Sequence, residues 1–126
     1  MQNKDYKEAA LRTESNDFEA IQKRISSKRN IRLLHAGIGL ATESGEFLDA
    51  LKKAIFYGKE LDRINLQEEI GDLLWYCAIA LDELGADFDS TMSINIQKLK
   101  ARFPNKFTEE DAENRNLDKE REILEK

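Results

Sequence analysis

Residues 39–76, GLATESGEFLDALKKAIFYGKELDRINLQEEIGDLLWY, carry one short pattern twice. Glu43-Ser44-Gly45-Glu46 is followed by Glu69-Ile70-Gly71-Asp72, and each copy sets two acids three residues apart with a glycine just before the second. On a helix, positions i and i+3 share a face, so each copy points two carboxylates the same way. Tyr57-Gly58-Lys59-Glu60 reads as a turn between them. Two helices folded back at that turn set the four acids opposite each other. Carboxylates that converge in this way repel unless a cation lies among them. The stretch therefore reads as a helical hairpin built around a metal site.

Outward from this hairpin the periodicity stays helical. The spacing predicts a long helix from Asn30 to Phe56, with a core stripe of Leu34, Ile38, Ala41, Leu48 and Ile55, widened by Leu33, Leu40 and Phe47. A second stripe on the same helix, His35, Gly39, Glu43, Glu46, Ala50 and Lys53, alternates small residues with the acids. Gly37, Gly39 and Gly45 each cost about 1 kcal/mol against alanine in a helix. Three such positions point to close packing or a site. The next helix is expected from Asn65 to Leu84, stopped by Gly85, with Leu66, Ile70, Leu73, Cys77, Leu81 and Leu84 buried. Trp75 and Tyr76 are expected to pack in the core with tethered polar tips. A further helix from Asp87 to Phe103 ends at Pro104. Short helices are expected at Asp5–Thr13 and at Phe18–Ile25, the latter capped by Asp17 or Asn16, with Ser26–Arg29 as a connection. Residues 108–126 form a charged extension with short helices after Thr108 and from Asp118.

A chain of 126 residues suits one domain, 1–126, with a mainly α fold. The formal net charge of -5, without basic clusters interleaved with aromatics, argues against duplex nucleic acid as a partner. A small phosphorylated ligand stays compatible if a metal reverses the local field. Cys77 is the single cysteine and reads as a small core residue. The start of the chain lacks a signal-peptide pattern and the longest apolar run is too short to span a bilayer. These features lead us to expect no membrane partner and a cytoplasmic location.

An all-oxygen ligand set favours Mg²⁺, Mn²⁺ or Ca²⁺ over zinc. A ferritin-type di-iron centre wants Glu-x-x-His pairs, and the single histidine, His35, lies outside both acid copies. The bland alternative for one acid copy is a solvated helix face; the repeat with its glycines favours a site. Beside the apolar stripe of the Asp87–Phe103 helix runs a polar one containing Asn95, Lys98 and Arg102. Its alternatives are a solvated face or a phosphate-binding row, with Lys a point charge, Arg a two-pronged donor and Asn an orienting group. Lys53, on the acid-bearing stripe, joins that set. Acids that hold a cation next to cations that hold oxygens suit hydrolysis of a phosphoanhydride.

At this point the chain resembles the MazG-like all-α nucleoside triphosphate pyrophosphohydrolases. Their motif, E-x-x-E, a variable spacer and E-x-x-D, stands here as Glu43-x-x-Glu46 and Glu69-x-x-Asp72. The segment SINIQKLKARFPNKF resembles the family's N-x-x-K-L-x-x-R-[FY]-P through Asn95, Lys98, Leu99, Arg102, Phe103 and Pro104. The opening DYKEAALRT is also similar to that of many members.

The resemblance implies an antiparallel four-helix core with extra short terminal helices. It implies Mg²⁺-dependent cleavage of a nucleoside triphosphate to monophosphate and pyrophosphate, with Mn²⁺ a possible substitute. Glu43, Glu46, Glu69 and Asp72 would be catalytic metal ligands, and Asn95, Lys98 and Arg102 would contact the nucleotide. It further implies a homodimer or dimer of dimers with sites near subunit contacts. One position departs: many members carry adjacent acids at the first copy, and here Thr42 precedes Glu43. Glu68, beside Glu69, is the candidate for an extra carboxylate. Thr42 and the charged tail motivate an alternative of another class, a non-catalytic helical module that binds nucleotide or a partner chain.

Overall fold

The computed structural model describes residues 2–126. Among them the regular elements are α-helices: α1 (Asn3–Leu11), α2 (Phe18–Ile25), α3 (Lys28–Tyr57), α4 (Arg63–Glu83), α5 (Phe88–Arg102), α6 (Glu109–Glu113) and α7 (Leu117–Leu124). The all-α class expected from the periodicity is therefore the one observed. No helix among the described residues is long and apolar enough to cross a membrane.

Side-chain caps set where these helices begin. The Ser27 hydroxyl accepts from the Asn30 amide, Asp62 from those of Ile64 and Asn65, and Asp87 from that of Ser90. Each satisfies amide groups that the first helical turn leaves without partners. As a result α3 starts within the Ser26–Arg29 segment expected to be a connection. At the other end of α3, Gly58 adopts φ 68°, the left-handed conformation a side chain disfavours, and the Lys59 amide closes back onto the Lys53 carbonyl at 3.1 Å. The chain then reverses through residues 58–62 into α4.

α3 and α4 pack along their lengths as an antiparallel pair, α5 packs on α7, and α2 touches the start of α3. Contacts along the hairpin define its register. At its open end Arg32 grips Asp82 and Glu83, each at 2.7 Å. Further along, Gly39 lies directly under the ring of Tyr76. Next come Glu43 on α3 and Glu69 with Asp72 on α4. Each step forward along α3 is matched by a step backward along α4.

The face of α3 turned to α4 is not the aliphatic stripe expected to form the core. Leu48 and Ile55 are 64% and 69% exposed, and Leu34 and Ile38 are about half exposed, whereas Ala36 and Gly39 are buried. Small residues let the two helix backbones approach closely, so the acid-bearing stripe faces inward and the large aliphatics face outward. Ile70 and Leu84 of α4, and Met92 and Ile96 of α5, are likewise exposed within one chain. Trp75, expected in the core, is exposed, and Tyr76 is half-buried.

Candidate metal centre

Two turns of helix meet at the centre. On α3, Glu43 is half-buried and Glu46 is exposed; on α4, Glu69 is buried and Asp72 is exposed. Glu43, Glu69 and Asp72 each present a carboxylate oxygen, and these atoms all lie within 4.8 Å of one another. Ligand oxygens on opposite sides of one hard cation lie about 4–5 Å apart, twice a bond of roughly 2.0–2.6 Å. Glu46 is not one of the three, but it lines the adjoining cleft with Glu69. Glu68 is exposed and stands outside the group. The Thr42 hydroxyl donates to the Gly39 carbonyl of its own helix at 3.1 Å, so the departing position is satisfied locally.

Glu69 is the most constrained member. It is 5% exposed, and its Oε1 accepts from the Asn65 side-chain amide at 3.2 Å. Its Oε2 is buried without a hydrogen-bond partner. Burial pushes its carboxyl up to about 7, aided by a carboxyl–carboxyl contact with Glu43 and by the charges of Glu46, Glu43 and Asp72. An orphaned buried carboxylate oxygen is costly, and a proton or a cation relieves it. The donor set is all oxygen, the oxygens lie within reach of one ion, and one of them has no partner. The residues present fit a hard divalent cation.

A cleft of about 450 Å³ opens beside the acids, lined by Glu46, Asp49, Lys53, Lys59, Asn65 and Glu69 among others. Lys53 lies in this lining, with its ammonium 2.6 Å from Asp49. Asp49, Lys59 and Asn65 were not singled out from the sequence. Asp49 continues the three-residue spacing of Glu43 and Glu46, and Asn65 precedes Glu69 by one helical turn; both signals were present.

The other expected contact residues are elsewhere. Asn95, Lys98 and Arg102 do not line the acid cleft. Asn95 is exposed and borders a separate cavity with Met92, Ile94 and Leu124. Arg102 is committed to the C-terminal extension: its Nε and Nη2 donate to the two oxygens of Glu120 at 2.6 and 3.2 Å. Arg115 adds a third bond to Glu120 at 2.6 Å. Glu120 is 5% exposed, and the guanidiniums of Arg102 and Arg115 hold its carboxyl down at about 2. His35 is exposed and packs edge-on to Trp75 and Tyr76, so it is no ligand of this centre.

An all-α hairpin that buries a carboxylate among three others is a helical scaffold whose facing acids could hold a hard cation. The family model described as the MazG nucleotide pyrophosphohydrolase domain matches residues 34–107, more than half of the chain, and the chain belongs to that family. No curated protein and no solved structure matches it.

Proposed function

We propose that the chain is a divalent-metal-dependent nucleoside triphosphate pyrophosphohydrolase that yields a monophosphate and pyrophosphate. The observation that carries this reading is the Glu69 carboxylate, buried with a partnerless oxygen among those of Glu43 and Asp72. Family membership supplies the phosphoanhydride substrate. In this reading Glu43, Glu69 and Asp72 would hold Mg²⁺, with Mn²⁺ as a substitute, and Glu46 stays free on the cleft wall. The bound cation would neutralise charge on the phosphates and activate the attacking water.

The chain's own groups do the rest. Glu69 would give up its proton to hold a cation, which would restore the charge the ligand set needs. Glu46, exposed on the cleft wall, takes the proton of the water whose oxygen forms the new P–O bond, while the bond between α- and β-phosphates breaks. Lys53 and Lys59 bring positive charge to the same cleft and attract the polyphosphate.

Lys98 and Asn95 fit this reading through a second copy of the chain, while Arg102 stays on Glu120. The outward aliphatics of α3 and α5 need a cover, and we take a homodimer or dimer of dimers to provide it. The whole chain is then one domain, with residues 108–126 tied to it by the Glu120 clamp.

The test is product analysis by phosphorus NMR after stripping with a chelator and restoring Mg²⁺. Monophosphate plus pyrophosphate, appearing only on restoration, supports the reading. Diphosphate plus phosphate would reject it, and no product from any nucleotide would favour a binding module instead.

A further inference from the structure

We infer that Asn65 is the positioning residue for the Glu69 carboxylate. The inference rests on the proposed metal centre and adds to it a residue outside the paired acids. The terminal torsion of a glutamate is broad and roughly two-fold, so an unrestrained carboxylate samples many planes. A donor on one oxygen selects the plane and thereby aims the other oxygen. Here the Asn65 Nδ2–H donates to Oε1 at 3.2 Å, and Oε2 is left buried and partnerless in the group with Glu43 and Asp72.

Asn65 is itself held. Its backbone amide donates to Asp62 Oδ1 at 3.1 Å, which fixes it in the first turn of α4, and it is half-buried in the cleft wall. The amide is also the suitable chemistry for this task. A lysine or arginine at that place would satisfy Oε1 but bring a positive charge that competes with the cation, whereas a neutral amide orients the ligand and leaves its charge available. Partners that orient metal ligands in this way typically account for about 10- to 100-fold in affinity.

The test is calorimetric titration of Mn²⁺ into the wild-type chain, Asn65→Leu (similar in shape, without a donor) and Asn65→Gln (an amide on a longer stem). Asn65→Leu is expected to bind Mn²⁺ about 10- to 100-fold more weakly. Asn65→Gln should fall between Asn65→Leu and wild type. The metal-free melting temperature should fall slightly in Asn65→Leu, which leaves Oε1 without its donor, and the Mn²⁺-induced rise measured from that baseline should shrink. Affinity of Asn65→Leu within about twofold of wild type, below the loss expected of an orienting partner, overturns the inference. So does a Mn²⁺-induced rise in Asn65→Leu equal to that of wild type. If Asn65→Leu does not fold, Asn65→Ser, whose hydroxyl is too short to reach Glu69, is titrated in its place with the same criteria. A wild-type chain that binds no Mn²⁺ would overturn the metal centre itself, a failure visible without any variant.

Discussion

Gly39→Ala adds one methyl group, and two opposed effects decide its outcome. Alanine favours a helix over glycine by about 1 kcal/mol, so on local grounds the variant should be more stable. The position is buried, however, and a Cβ built there overlaps the ring of Tyr76. That ring is packed edge-on against His35 at 5.7 Å and Trp75 at 4.8 Å between centroids, so it moves only by disturbing both. Overpacking of this kind costs about 1–3 kcal/mol, sometimes more, and overlap with a ring belongs at the upper end. The net expectation, about 3 kcal/mol of overpacking less about 1 of helix preference, is a loss of roughly 2 kcal/mol. Gly37→Ala is the control, because a Cβ there meets nothing within 4 Å and should gain up to about 1 kcal/mol. Two single-methyl variants two residues apart should thus separate by roughly 2–3 kcal/mol in urea or thermal melts. Gly39 lies one turn before Glu43, and Tyr76 one turn after Asp72, so Gly39→Ala should also weaken Mn²⁺ binding by spreading the helices at the acids. If both variants move together, or Gly39→Ala matches wild type, close α3–α4 packing is refuted as the reason for this glycine.

Between pH 4.5, the ordinary value for a glutamate, and about 7, the folded chain holds a proton on Glu69 that the unfolded chain does not. Metal-free stability should therefore fall as pH rises through that window and not beyond it, and Glu69→Gln should remove the trend. Calorimetry in buffers of different ionisation enthalpy should show Mn²⁺ displacing about one proton near pH 6 and little near pH 8. Glu120 has the opposite sign: its depressed carboxyl stabilises the fold above the ordinary value of 4.5, and the contribution is lost as pH falls towards about 2. Glu120→Gln should lower the melting temperature by several degrees at neutral pH, with the gap to wild type closing in that acid range. An equal gap throughout would count against the clamp. Leu48→Glu and Ile55→Glu, on the outward face of α3, should reduce the particle mass seen by light scattering while helical circular dichroism is retained. An unchanged mass would remove that face from the proposed interface.

The hairpin was legible because its signals are local. The three-residue spacing of the acids, the turn at Gly58 and the helix-stopping Gly85 act over one or two turns of chain. Helix starts were read two residues late in α3 and α4, since Ser27 and Asp62 cap from outside the apolar pattern. The inward face of α3 was not legible from hydrophobicity. Leu34, Ile38, Leu48 and Ile55 form the more apolar stripe, yet close approach of two helices selects Ala36 and Gly39. Hydropathy measures the preference to leave water and not which surface provides the cover. The Arg102–Glu120 pair joins residues eighteen apart across two helices, a pairing that spacing within one helix does not reveal. For the same reason spacing along α5 does not show that Asn95 and Arg102 have different neighbours. In the fold, Arg102 serves the clamp and Asn95 borders a different cavity.

The most direct test of the account is pyrophosphate release from a panel of ribo- and deoxyribonucleoside triphosphates with Mg²⁺, with Glu46→Gln and Glu69→Gln as blanks. The wild-type chain is expected to turn over, each variant to lose at least about a hundredfold, and both to keep the helical circular dichroism unchanged. Turnover that survives Glu69→Gln, or no turnover of any nucleotide with either Mg²⁺ or Mn²⁺, would contradict it.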